Sequence, residues 1–206
     1  SKLFKSLFFS IIMKITFLGT SAMLPTKERN PNAIFISYNT EGILIDCGEG
    51  TQKQFRLANI SPTKVTKLLI THWHGDHVLG ILGLLQSLGA SSYRKKLEIY
   101  GPKNSKNFLK NLISGIVFKS RINYEINELE ESKFFENKDF YLESNKVKHS
   151  IDCLAYSLIE KDKRKINLDY TKKFGLTQHP LLGELQKGKD IFYNGKKITI
   201  DKATIL

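Results

Sequence analysis

A short apolar run, Leu68-Leu69-Ile70-Thr71, leads directly into His72-Trp73-His74-Gly75-Asp76-His77, and a second apolar run extends from Val78 to Leu88. A run as brief and apolar as the first reads as a strand covered on both faces, and the longer one as a buried helix. Their junction holds three imidazoles and one carboxylate within six residues. In an extended segment, side chains two apart share a side, so His72 and His74 point the same way. Gly75 permits a sharp turn, after which Asp76 and His77 stand at the helix entry and face a different point. Two groups of ligands aimed at adjacent points suit two metal ions rather than one. Imidazole with carboxylate favours zinc, with iron or manganese as alternatives.

The flanking sequence predicts an α/β layered domain. Lys14 to Leu18 is a β-rich run ended by Gly19. Ala33 to Tyr38 and Gly42 to Asp46 flank Asn39-Thr40-Glu41 as a hairpin. Gln52 to Ala58 reads as a short helix, Leu97 to Tyr100 as a strand closed by Gly101-Pro102, and Ser105 to Ile116 as a basic amphipathic helix. Tyr124 to Ile126, Phe140 to Leu142, Lys146 to Lys148 and Leu154 to Leu158 are expected to form a second group of strands. Early hairpins followed by strand–helix units fit stacked sheets and helices.

The chain of 206 residues carries 32 lysines and arginines against 20 acids, a net charge of +12. Such a balance attracts polyanions, nucleic acid first and a membrane surface second. The excess is concentrated between Glu160 and Lys202, where eleven basic residues face six acids and glycines punctuate the stretch. That texture predicts a protruding, basic, partly helical arm. The two cysteines, Cys47 and Cys153, stand far apart, which excludes a disulfide scaffold and a cysteine-only zinc site and suits reduced thiols in the cytoplasm. No apolar run reaches the ~18 residues of a membrane span. Residues 1–12 look a little like the start of a signal peptide. No small-residue cleavage site intervenes before the strand at Lys14, so Met13 reads as the start and residues 1–12 as an extension without an assigned role.

His72-x-His74-x-Asp76-His77 resembles the signature of the metallo-β-lactamase superfamily. Phe17-Leu18-Gly19-Thr20-Ser21-Ala22 is similar to that superfamily's first strand and loop. Pro25-Thr26-Lys27-Glu28-Arg29-Asn30 is similar to the P-x-K-x-R-N loop of the ribonuclease Z family of tRNA 3′-processing endonucleases. Ile45 to Gln52 and Ile99-Tyr100-Gly101-Pro102 resemble two further motifs of the same family. The resemblance runs from Met13 to the last residue.

The resemblance implies an αββα sandwich and a zinc-dependent endoribonuclease that removes 3′ trailers from tRNA precursors. It implies two zinc ions per complete site. His72, His74 and His149 would bind the first, and Asp76 and His77 the second, with Asp76 also the general base. Asp46 would orient a ligand histidine or simply form a turn. Lys27 and Arg29 would contact phosphates at the acceptor end. The arm would grip the tRNA backbone through residues such as Lys163, Arg164, Lys165, Lys172 and Lys173, with Lys161, Lys187 and Lys189 as further candidates. Precursor tRNA and a second copy of the chain are the implied partners, no membrane is implied, and the cytoplasm is the implied location.

Three parts of the family pattern have no counterpart in the sequence. They are a bridging aspartate in a G-D-T context, a histidine near the family's C-terminus, and a histidine in an H-E-A-T motif. His179 falls within the arm and is not assigned to metal. The expected organisation is therefore an N-terminal extension over 1–12 and a metallo-β-lactamase-like domain over 13–206, incomplete at its C-terminus and carrying the arm over 160–202. Two alternatives to the endoribonuclease stay open: another hydrolase of the same fold, and an inactive RNA-binding fragment.

Overall fold

β-branched and aromatic residues set the first sheet of the computed structural model, which describes residues 13–117 and 122–205. The extension over 1–12 lies outside the described residues. Strands β1 (Lys14–Gly19), β2 (Ala33–Tyr38) and β3 (Glu41–Ile45) pair antiparallel. The β2–β3 connection is the expected tight hairpin, with Asn39 in the left-handed conformation (φ 54°) that two-residue hairpin turns require. Helix α1 (Thr51–Leu57) follows, and strand β4 (Lys67–Leu69) then joins β3 in parallel.

The expected single helix over 78–88 is broken into α2 (Gly75–Val78) and α3 (Ile81–Ala90). The physical reason lies at Gly80. Its N–H donates to the Cys47 carbonyl (2.9 Å), and a Cβ there would lie 2.0 Å from the Gly48 carbonyl oxygen. The chain must pass so close to the Cys47–Gly48 segment that only glycine fits.

Strand β5 (Lys96–Gly101) pairs parallel with β4, and β6 (Asn123–Glu128) parallel with β5. Between them runs helix α4 (Ser105–Ser114), which stops two residues short of the expected end at Ile116. The resulting sheet has the order β1-β2-β3-β4-β5-β6. Phe55 of α1, Ile81, Leu84, Leu85 and Leu88 of α3 and Leu109 of α4 pack with Phe35, Leu44, Leu68, Ile70, Leu97 and Ile99 into one core. Burying such side chains is worth about 1.5–3 kcal/mol each.

A second sheet has the order β7-β8-β9 and consists of β7 (Ser132–Glu136), β8 (Phe140–Lys146) and β9 (Leu154–Glu160). The expected strand over 146–148 is not formed. β8 ends at Lys146, and Val147 and Lys148 beyond it belong to an exposed loop. Phe134 stacks within 4.8 Å of Tyr100, and the Tyr156 hydroxyl donates to the Ile70 carbonyl (2.8 Å), so the two sheets face each other. Lys67 of β4 is buried between them, with Nζ 2.9 Å from Glu41, 2.8 Å from Glu98 and 3.8 Å above the Phe135 ring. Helices on one face of a sheet, with a second sheet on the other, are three of the four layers of the expected αββα sandwich.

The described chain forms two compact units. One comprises the residues up to Phe135 together with Leu142–Leu158, and holds the layers just described. The other comprises Glu136–Tyr141 and Ile159–Leu206. The stretch over 160–202, expected as a basic, partly helical arm, falls in this second unit, which has a core of its own made by Leu176, Leu185, Ile191, Ile198 and Ala203. Its elements are β10 (Lys165–Ile166), α5 (Leu168–Thr171), α6 (Leu181–Gln186), the hairpin β11 (Ile191–Tyr193) and β12 (Lys196–Ile198), α7 (Ile200–Ala203) and β13 (Thr204–Ile205), which pairs with β10.

Candidate metal centre

Parallel pairing brings the C-terminal ends of β3 and β4 to one edge of the sheet. Asp46 follows β3 directly, and the His72–His77 segment follows β4. His149 enters from the loop after β8. Nitrogens of His72, His74 and His149 all lie within 4.8 Å of one another, and this is the one such group of metal-binding side chains among the described residues. The His74 and His149 nitrogens are 3.3 Å apart. His77 joins the cluster with its ring centroid 4.0 Å from that of His72, and its Nε2 is 3.5 Å from Asp76 Oδ2.

Asp46 sits at the root of this arrangement. It is fully buried and adopts a left-handed conformation (φ 56°), which Asp tolerates better than most residues and which turns its carboxylate back toward β4. One oxygen accepts from the Thr71 N–H (2.8 Å). The other accepts from Asn32 Nδ2 (3.0 Å), the Thr71 hydroxyl (2.8 Å) and His77 Nδ1 (2.6 Å). The bond to His77 fixes the proton on Nδ1 and leaves the Nε2 lone pair facing Asp76. The same logic reaches His72 in two steps. Thr71 spends its only hydroxyl proton on Asp46, so its oxygen must accept from His72 Nδ1, 3.0 Å away. The His72 Nε2 lone pair is thereby also free.

Electrostatics agree with a cation site. Burial, with the neighbouring imidazoles adding, pushes the His72 pKa down to about 4 and keeps that ring neutral. Burial also works against protonation of His77, but the hydrogen bond and charge of Asp46 outweigh it and raise its pKa. Burial alone would raise the Asp76 carboxyl, yet the Met23 N–H, which donates to Oδ2 at 2.9 Å, and the His77 charge bring it below the ordinary value. A neutral His72 imidazole with a free lone pair, beside the ionised Asp76 carboxylate, belongs to the donor set that zinc takes. A tetrahedral ion about 2.0–2.1 Å from each nitrogen needs nitrogens roughly 3.4 Å apart. The His74–His149 pair already has that spacing.

Met23 belongs to the β1–β2 loop that also carries Lys27 and Arg29, both exposed. Thr26 Oγ1 accepts from the N–H groups of Glu28 and Arg29, which shapes that loop locally. The predicted RNA contacts Lys163, Arg164, Lys165, Lys172 and Lys173 all fall in the second unit. Lys163 pairs with Asp139 (2.5 Å) and Lys172 with Asp169 (3.8 Å). The Lys172–Asp169 pair is exposed, is worth about 0–1 kcal/mol and yields easily to a phosphate, whereas Asp139 is buried and holds Lys163 at the edge of the unit. His179 packs against Tyr193 in the second unit, and sequence reasoning kept it off the metal. Sequence reasoning missed the parts played by Thr71, Asn32 and the Met23 N–H. Thr71 adjoins the motif and was available as a clue, but the other two act through loop positions that carry no local pattern.

A mixed sheet faced by a second sheet, with H-x-H-x-D-H after one parallel strand and a distant histidine closing the cluster, defines a protein of the metallo-β-lactamase fold. The structure superimposes on human tRNase Z, short form (ELAC1), with a TM-score of 0.67 at 27% identity, over 74% of this chain and 66% of that one. It superimposes on the metallo-β-lactamase fold protein YhfI from Bacillus subtilis with a TM-score of 0.59 at 18% identity, over 71% of this chain and 57% of that one. In sequence, it is 41% identical over 187 residues to Ribonuclease Z of Nanoarchaeum equitans (strain Kin4-M), 91% of this chain and 58% of that protein. The chain thus spans about three-fifths of the length of the curated relatives it matches. It belongs to the family described as Anti-Pycsar protein Apyc1, whose model matches residues 13–192.

Proposed function

We propose that the protein is a zinc-dependent endoribonuclease that removes 3′ trailers from tRNA precursors, leaving a 3′-hydroxyl on the tRNA and a 5′-phosphate on the trailer. The observation that carries the reading is the cluster of His72, His74 and His149 within 4.8 Å, in a chain 41% identical to a curated Ribonuclease Z. These three histidines would hold one ion, and Asp76 with His77 a second. When bound, such ions lower the pKa of a water to about 7 and neutralise charge gathering on a phosphate.

The chain's own residues have separate tasks. Asp46 fixes which nitrogen of His77, and through Thr71 of His72, carries the proton. Asp76 offers a carboxylate oxygen at the centre to take a proton from the attacking water. The loop of Lys27 and Arg29, anchored near the centre by Met23, supplies cations for the acceptor-end phosphates. Lys163, Arg164, Lys165, Lys172 and Lys173 give the second unit, the arm of this reading, a surface for the tRNA backbone. Contacts of this type follow shape and phosphate position rather than base sequence. The reading includes a homodimer acting in the cytoplasm. No helix among the described residues is long and apolar enough to cross a membrane.

A second reading, a phosphodiesterase of the same fold acting on a smaller substrate, is favoured by one observation: the matching family model carries a different protein's description. Incubating the zinc-loaded protein with a precursor tRNA and with a chromogenic phosphodiester separates the two. The first reading expects trailer release with a 5′-phosphate, abolished by His74→Ala. Intact precursor beside a hydrolysed chromogenic ester would overturn it in favour of the second.

A further inference from the structure

Beside the histidine cluster lies a groove of about 420 Å³, lined mainly by Trp73, Phe108, Leu112 and Ile151. His74 belongs both to this lining and to the cluster, so the groove starts where a phosphate at the metal centre would end. Lys103 and Asp152 supply its charged lining. We propose that this groove is a nucleobase subsite, in which the base next to the scissile phosphate stacks on Trp73 and Phe108.

Four observations carry the proposal. The Trp73 and Phe108 rings have centroids 5.4 Å apart and an interplanar angle of 45°, an open wedge rather than a closed stack. The indole is held in place because Nε1 donates to Ser105 Oγ (2.7 Å), leaving no polar atom of the ring in need of a partner. Phe108 is 44% exposed and Ile151 39%, an apolar surface that a flat ring would cover. The volume falls in the range of small-ligand sites, and Lys103 adds a cation suited to a nucleotide's phosphate. Aromatic stacking accepts any base, since each has a π-face, so the subsite would position the substrate without reading its sequence. The proposal rests on the reading that a nucleic-acid phosphate occupies the histidine cluster.

Trp73 is the chain's single tryptophan, so its fluorescence reports on this groove alone. The test titrates the zinc-loaded protein with cytidine 5′-monophosphate and, separately, with ribose 5-phosphate. The expected result is saturable quenching by the nucleotide and none by the sugar phosphate. Phe108→Ala should weaken nucleotide binding about 5- to 150-fold, the range that losing one stacking partner gives, while Phe108→Tyr retains it. Phe108 is exposed, so neither variant threatens the core. Equal quenching by both probes, no saturable quenching, or wild-type affinity in Phe108→Ala would each overturn the proposal. Failure of the endoribonuclease reading has a different signature: intact precursor tRNA with the Trp73 signal and its Phe108 dependence preserved.

Discussion

Asp46→Asn probes the centre without touching any residue assigned to metal. The substitution keeps the volume but replaces one carboxylate oxygen by an NH2 group, in a pocket where every partner is a donor. Thr71 N, Thr71 Oγ1, Asn32 Nδ2 and His77 Nδ1 all aim protons at Asp46. Whichever way the amide turns, two donors meet and at least one bond to a charged acceptor is lost, worth about 1.5–3 kcal/mol. If the amide nitrogen faces His77, that imidazole must give up its Nδ1 proton and present the wrong nitrogen to a metal. If it faces the Thr71 N–H instead, that backbone donor loses its acceptor and the end of β4 that carries the histidines loses an anchor. Loss of such an outer partner typically lowers metal affinity about 10–100-fold. Zinc affinity measured by competition with a chromophoric chelator should fall within that range. Nitrogen chemical shifts of the metal-free protein should show His77 moving from Nδ1–H toward Nε2–H. Zinc affinity equal to wild type, with His77 unchanged in tautomer, would refute the chain of hydrogen bonds argued here.

Other outcomes follow from the same geometry. Gly80→Ala places a Cβ 2.0 Å from the Gly48 carbonyl oxygen, so thermal unfolding should show a loss of more than about 1 kcal/mol, the lower end for a core clash. Lys67→Ala strips the buried cation from between Glu41 and Glu98 and should cost about 3–5 kcal/mol in chemical denaturation. Burial raises the Glu41 carboxyl, but bonds from Thr66 and Lys67 and the Lys67 charge bring it below its ordinary 4.5. A depressed carboxylate contributes stability that is complete above the unfolded value and is lost as pH falls through the folded one. Glu41→Gln should therefore flatten the stability–pH curve below about pH 4.5 relative to wild type, as read by denaturant melts at stepped pH. Binding of tRNA should weaken steeply as salt rises, and Lys27→Ala with Arg29→Ala should make the log–log slope shallower by up to about 2.

The parts of the molecule that could be read from sequence were those with local causes. The hairpin announced itself through two β-rich runs around Asn39, and the centre through four ligand-type side chains within six residues. His149 had no such signal. It lies 72 residues beyond His77, and its position depends on where the β8–β9 loop falls, so only the resemblance pointed to it. The helix over 78–88 was misjudged because its apolar texture is continuous, whereas its break at Gly80 is dictated by a backbone from another part of the chain. The strand β7 escaped notice because Ser132-Lys133-Phe134-Phe135-Glu136 is short and flanked by charge. The basic stretch hid a core because Leu176, Leu185, Ile191 and Ile198 are spaced too irregularly to give a periodic pattern. The groove beside the centre joins residues 73, 103, 108, 112 and 151, and no pattern in one segment could predict it.

The most direct test of the central claim is zinc retained per chain after equilibrium dialysis, counted by elemental analysis in wild type and in His72→Ala, His74→Ala and His149→Ala. The account predicts at least one tightly held ion in wild type and its loss in all three variants, with folding retained by circular dichroism. A wild-type chain that keeps no zinc, or variants that keep as much as wild type, would contradict it.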